Sequence, residues 1–216
     1  MKTFEFSTIK DFDCHISASI TGYNLLHRLI VNISSFFIKK NTIPIDLGCT
    51  SGKLAIAINE AYEVPVIGFD ITGTNFFEAR PESVRLEVED ITSKEFSVQE
   101  TDLIFSIFTL QFLPIPERLP LLAKCVKSLN EGGAMIVCEK EICRDGVTQE
   151  VFTFSNYQNK RQVFSEKEIL DKEEILRHTM TNLTSAQNEK LFRSAGFKVI
   201  EPFFQSLNFK GYILRK

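Results

Sequence analysis

The chain has 216 residues, with 25 Lys+Arg against 28 Asp+Glu and a formal net charge of −3. Apolar residues make up 44% and charged residues 25%, close to the globular average, which excludes a disordered, collagen-like or coiled-coil chain and fits a single domain over 1–216. A mildly acidic balance argues against direct nucleic-acid binding, which rests on Lys and Arg neutralising phosphates.

Residues 1–20 show no clear period and read as a loosely packed lead-in, with no apolar run behind a basic start and so no signal peptide. Over 22–40, Leu25, Leu26, Leu29, Ile30, Ile33, Phe36 and Phe37 recur at helical spacing. Residues 1–42 therefore form an N-terminal helical segment, too polar at His27, Arg28 and Asn32 to span a bilayer. From Ile43 the pattern changes to short apolar runs between Gly, Asp, Pro and Thr. Ile43–Leu47, Val64–Phe69, Val84–Val88, Asp102–Phe105 and Met135–Cys138 read as strands buried on both faces, the signature of a helix-covered parallel sheet. Lys53–Tyr62, Asn75–Ala79 and Glu117–Leu129 read as helices between them, and Leu129–Gly133 as a turn. Residues 144–180 are polar, with scattered apolar anchors, and predict a helical insertion over one edge of the sheet. A helix ending at Ala195 with Gly196 as its C-cap follows. Phe197–Phe204 and Leu207–Leu214 are then separated by two residues only, which fits an antiparallel pair and cannot hold a parallel crossover. The fold class is α/β: a doubly wound, Rossmann-like sheet, mostly parallel, with an antiparallel C-terminal strand pair.

The five cysteines form no C-x-x-C and no cluster with histidine, so zinc and a disulfide framework are disfavoured and reduced thiols in a cytoplasmic compartment are the reading. The strongest local signal is Asp46-Leu-Gly48-Cys-Thr-Ser-Gly52 at a strand–turn–helix junction, followed by Asp70 at the end of the next strand. A P-loop needs four residues between its glycines and Ser or Thr after its Lys; here three lie between, and Leu54 follows Lys53. The dinucleotide fingerprint needs a glycine where Thr50 stands. The pattern resembles instead that of class I S-adenosylmethionine (SAM)-binding proteins, whose ligand carries no phosphate. In that geometry Asp70 can accept both ribose hydroxyls, and Asp90 after the third strand either bonds the adenine amino group or caps a helix. No Pro-Cys nucleophile occurs, and Asp102 at a strand start with Glu139 alone gives no metal site.

Gly22-Tyr-Asn24, Asp46-Leu-Gly-Cys49, Phe108-Thr-Leu-Gln-Phe-Leu113, Glu139-Lys140 and Phe204-Gln-Ser-Leu-Asn-Phe209 are similar to the strings of the bacterial carboxy-SAM synthases of wobble-uridine tRNA modification, which convert SAM and prephenate to carboxy-SAM. The resemblance implies that Tyr23 meets the amino-acid end of SAM. It places Gly48, Cys49 and Thr50 on the methionine side, Asp70 and Ile71 at ribose and adenine, and Asp90 and Ile91 at the adenine edge. It also implies a homodimer whose site is completed across the interface. Three positions depart from the family. Its carboxylate-reading Arg falls on Glu173, an Asn beside the reactive methyl on Ile107, and an Arg before the Gly-Tyr pair on Ala18. At an effective dielectric of about 20, such an Arg-to-Glu exchange turns an attraction of about 4 kcal/mol at ~4 Å into a repulsion of at most that size, which disfavours a carboxylated cofactor unless Lys172, Arg161 or Arg177 substitutes. The leading expectation is therefore a SAM-dependent methyltransferase on this scaffold, acting on a small molecule or peptide. Phe108, Gln111, Glu139, Tyr157, Arg161 and Glu173 are its candidate substrate-pocket residues, and His15, His27 or His178 its candidate bases. Carboxy-SAM synthesis and a non-catalytic SAM-binding dimer are the alternatives.

Overall fold

Alternate residues of the central strands are buried on opposite faces, so helices must cover both. The computed structural model describes residues 12–216. Strands β1 (Ile45–Leu47), β2 (Val66–Asp70), β3 (Val84–Val88), β4 (Thr101–Ile107), β5 (Leu129–Lys140), β6 (Val199–Ser206) and β7 (Phe209–Arg215) form a 7-stranded sheet of order β3-β2-β1-β4-β5-β7-β6. The first five strands pair in parallel, while β7 runs antiparallel between β5 and β6.

Helices α1 (Phe12–Ser19), α2 (Tyr23–Ser34) and α3 (Lys53–Tyr62) precede β2 in the chain; α4 (Ile115–Ser128) joins β4 to β5; α5 (Gly146–Lys160), α6 (Glu166–Thr179) and α7 (Ser185–Ala195) precede β6. On one face, Leu26 and Ile30 of α2 and Leu54, Ala55 and Ile58 of α3 pack on Leu103, Phe105 and Ile136. On the other, Leu121, Leu122 and Cys125 of α4 and Phe192 of α7 pack on Ile45, Leu47, Ile104 and Met135. Leu103 and Phe105 thus face one layer and Ile104 the other, the two-residue period of a strand buried on both sides.

Local sequence sets the helix ends. Ser165 with Glu168 and Thr184 with Gln187 form capping boxes. Gly196, at φ 112°, closes α7 in the left-handed region.

Four local expectations change. Residues 75–79 are not helical: a five-residue stretch between Gly73 and Pro81 is too short to repay helix nucleation. The helix read over 22–40 stops at Ser34, leaving Phe36 84% exposed. Leu129–Gly133 is not a turn but the start of β5, with a shift in the β4–β5 register and Gly132 at φ 76°. The insertion lies over the carboxyl ends of the central strands instead of an edge, because Glu173 of α6 pairs with Lys140 at the end of β5. Of the lead-in, residues 12–19 form α1, and residues 1–11 lie outside the described residues.

Candidate functional site

Chain order reverses at β1, which has β2 on one side and β4 on the other. The carboxyl ends at such a switch point leave a crevice where doubly wound sheets take ligands. Here the crevice is a cavity of about 850 Å³, in the upper part of the usual range for small-molecule sites, about 300–1,000 Å³. Gly48, Thr50, Asp70, Ile71, Asp90, Ile91, Ile107, Phe108, Gln111 and Glu173 all line it. Tyr23 and Cys49 line a small adjoining pocket that shares Gly48, Thr50, Ile107 and Phe108 with the large one.

The turn after β1 is fixed by sterics. Gly48 sits at φ 77°, and a Cβ there would lie 2.4 Å from the Thr109 hydroxyl, which donates to Leu47 O at 2.9 Å. Thr50 is itself left-handed at φ 50°. Its backbone N–H donates to Asp70 Oδ2 at 2.9 Å, and the N–H of Thr72 donates to Oδ1 at 3.2 Å. These two amides, with that of Ile71 beside them, hold the Asp70 carboxylate in place. Burial raises its pKa, against the lowering effect of these amides. Asp46 lies wholly inside, and burial, with Asp70 nearby, pushes it to about 7. Exposed Asp90 caps no helix. Its Oδ1 accepts from the Thr92 hydroxyl at 2.6 Å and the Thr92 N–H at 2.9 Å, which holds its pKa down.

The wall after β4 is strained. Phe108 takes φ 59°, a conformation costly for a bulky side chain and concentrated at ligand sites. Its N–H donates to Cys138 O at 2.7 Å and its ring meets Phe209 edge-on at 5.8 Å. The Gln111 side chain accepts from the Lys140 N–H at 2.8 Å.

Three substrate-pocket candidates lie elsewhere. Buried Glu139 lines neither pocket; its carboxyl accepts from the Leu110 N–H at 3.1 Å, and burial pushes it up to about 8 despite nearby Arg118. Tyr157 meets Phe154 edge-on at 6.0 Å and does not line the cavity. Arg161 is exposed and pairs with Glu166 at 3.3 Å.

Glu173 is not the uncompensated negative charge that the sequence suggested. Its carboxylate contacts Lys160 at 2.8 Å and Lys140 at 3.7 Å. Burial alone would raise its pKa, but the two lysines overcome that and hold it below the usual range. Lys172 stands beside it in the cavity wall, in contact with His15 and 3.2 Å from the Ser19 hydroxyl. Burial and the neighbouring ammonium groups lower Lys172 to about 8, and burial lowers His15 and His27 to about 4. His178 does not line the cavity. Sequence reasoning missed Lys140 and Lys160 because their only signal is the fold that brings two distant lysines to one carboxylate.

Comparison with known proteins gives the fold and the family. Residues 45–133 match a family described as a methyltransferase domain. The human N-acetylserotonin methyltransferase structure superposes with a TM-score of 0.61 at 17% identity, over 90% of this chain and 52% of that one, a likeness of fold alone. The carboxy-SAM synthase of Campylobacter lari is 27% identical over 100% of this chain and 95% of its own length. That of Wolinella succinogenes is 30% identical over 100% of this chain and 94% of its own. The chain belongs to the carboxy-SAM synthase family. It is thereby a SAM-dependent transferase of class I, and the cradle at Gly48 and the acceptor oxygens of Asp70 fit that phosphate-free ligand. Among the described residues, no group of His, Cys, Asp and Glu is placed to hold a metal ion, and no helix is long and apolar enough to cross a membrane.

Proposed function

We propose that this family member binds SAM across the switch point and transfers its methyl group to a small molecule. The observation that carries the reading is the Gly48–Gly52 turn opening beside a carboxylate already oriented by two amides. In this reading Asp70 accepts the ribose hydroxyls, Ile71 and Ile91 enclose adenine, and Asp90 takes its amino group. Gly48, Cys49, Thr50 and Tyr23 surround the methionine end, and Ile107 and Phe108 form the wall beside the methyl. Bound SAM supplies an electrophilic methyl on a sulfonium. The chain's own residues then align the acceptor and exclude water, which can account for much of the rate of an in-line displacement. Gln111 and Glu173 face the acceptor. His15, held near 4, is neutral at pH 7 and a weak base. The test is transfer of label from methyl-labelled SAM to host small-molecule extract; full SAM binding with no labelled product from any extract would refute methyl transfer.

A second reading, synthesis of carboxy-SAM, is favoured by the lysines around Glu173, which remove the charge objection to a carboxylated ligand. Mass spectrometry of the copurified ligand decides between them: bare SAM or S-adenosylhomocysteine supports methyl transfer, a carboxylated species the alternative. A homodimer is part of the same proposal, supported by Val147, Val151 and Phe154, exposed at 70%, 55% and 59% along one stripe of α5. Light scattering in solution reads it directly. Buried free thiols at Cys49, Cys125 and Cys138 support a cytoplasmic location. The net charge of −3 supports a partner other than nucleic acid.

A further inference from the structure

Three amines meet one carboxylate in the cavity wall. Lys140 closes β5, Lys160 ends α5, and Lys172 and Glu173 lie within α6. Glu173 contacts Lys160 at 2.8 Å and Lys140 at 3.7 Å, which is enough to join α5, α6 and the sheet. With all three amines charged, positive charge in the wall outweighs negative. Desolvated like charges are costly together, and the cost is relieved when one amine gives up its proton. Lys172 is placed to be that amine. It is half-buried and meets the His15 imidazole and, at 3.2 Å, the Ser19 hydroxyl. The His15 ring, neutral at pH 7 with its pKa held near 4, is set against Phe164 with centroids 4.9 Å apart. Burial and the ammonium groups of Lys160 and Lys140 bring Lys172 to about 8, so roughly a tenth of it carries a free lone pair at pH 7. His15, Ser19 and Lys172 all line the cavity, as do the apolar side chains of Ile16, Leu176 and Met180.

We propose that Lys172 is a nucleophilic amine that forms a Schiff base with an aldehyde or ketone held in the cavity, the apolar body of the carbonyl compound lying on Ile16, Leu176 and Met180. A lysine desolvated beside other cationic groups is a recurrent source of such a nucleophile, because an ammonium has no lone pair with which to attack. The amine nitrogen bonds to the carbonyl carbon, and the carbonyl oxygen takes up the proton that the nitrogen sheds. The carbinolamine then loses its hydroxyl as water, with one proton drawn from solvent, and leaves a protonated imine on Lys172. No oxidant or reductant takes part. His15 and Ser19 fix the nitrogen, while Glu173 holds Lys160 and Lys140 beside it. The charged and titratable groups around Lys172 are His15 from α1, Lys140 from β5, Lys160 from α5 and Glu173 from its own helix, with Glu168 acting on His15 and Arg177 on Glu173. This chemistry goes beyond methyl transfer and needs no SAM.

The full chain is incubated with benzaldehyde and sodium cyanoborohydride, which reduces an imine to a stable benzyl amine, and the modified lysines are located by peptide mass spectrometry. At pH 7 Lys172 should be labelled about tenfold or more faster than Lys167, whose exposed ammonium is paired with Asp171 and held above the ordinary lysine range. The ratio of the two rates should fall about tenfold between pH 7 and pH 9, as Lys172 approaches full deprotonation and Lys167 does not. Labelling of Lys172 should also saturate with aldehyde concentration, whereas that of Lys167 stays linear. Equal rates, a ratio independent of pH, or a linear dependence at Lys172 each overturns the assignment, and all three are read on the native chain. In Lys172→Met the saturating component should vanish; its persistence on Lys140 or Lys160 overturns the choice of Lys172. Saturation with S-adenosylhomocysteine should leave labelling in place, since Asp70 ends β2 and Lys172 stands beside β5, with β1 and β4 between those strands. Loss of labelling there would put Lys172 in the cofactor's own space and overturn the carbonyl site. Failure of S-adenosylhomocysteine to bind, with labelling intact, would sink the proposed function and leave the Schiff-base site supported.

Discussion

At the β2–β3 end of the cavity the backbone does the holding. A left-handed glycine turn, two amides on Asp70 and a side-chain turn at Asp90 are each made within a few residues or between neighbouring strands. At the α6 end, side chains do it: Lys140 comes from β5, Lys160 from α5, and Lys172 and Glu173 from α6. The first construction ties its geometry to the sheet and tolerates little substitution. The second sets charge in place through flexible stems, and can change its ligand by exchanging single residues without altering the fold.

Predictions that test this contrast begin at the rigid end. Gly48→Val meets both a left-handed φ, costing about 1–2 kcal/mol, and the Thr109 side chain at 2.4–2.9 Å. SAM binding should be lost and the melting temperature should fall; near-normal calorimetric binding would show that the turn is not the cofactor cradle. Glu173→Gln leaves Lys160 and Lys140 without their anion. Breaking a buried pair from one side costs about 3–5 kcal/mol, so denaturant unfolding should show a loss of this order, and an unchanged midpoint would mean the cluster is solvated. Asp70→Ala should weaken SAM binding by more than about 1.5 kcal/mol, over tenfold, since hydrogen bonds to a charged acceptor are lost.

The smallest effect is a pH dependence. Glu139 titrates near 8 in the fold and near 4.5 unfolded. Between these values the native state holds the extra proton, so stability falls as pH rises from about 4.5 to 8 and levels off above. Asp46, near 7, adds to the same slope over its lower part. Thermal melts of Glu139→Gln across this window should show a shallower fall; an unaltered slope would place the titration elsewhere.

The same contrast explains what the sequence made legible. Strand runs such as Ile43–Leu47, the helix Lys53–Tyr62 and the Gly196 cap carry their signal in adjacent residues, and the structure has them within a residue or two. The Gly48 turn and Asp70 were readable for the same reason. Asn75–Ala79 misled because apolar residues over so short a span suit a helix and a packed loop equally. Glu173 misled because the meaning of a buried charge lies in its partners. Lys160 is 13 residues away and Lys140 on another element, and no periodicity encodes that meeting. Glu139 misled through its neighbour: it is Lys140 that faces the cavity, while Glu139 turns inward to the Leu110 amide.

The position of β7 bears on the order in which the sheet can be completed. β6 emerges first during synthesis, yet among the described residues its only pairing in the sheet is with β7, which also supplies the antiparallel partner of β5. Until β7 arrives, β5 presents an open edge and β6 has nowhere to dock, so both must join together as a preformed hairpin. Slowing that hairpin, by stiffening or lengthening the turn at Leu207–Asn208, would prolong the life of the exposed edge and with it the chance of aggregation.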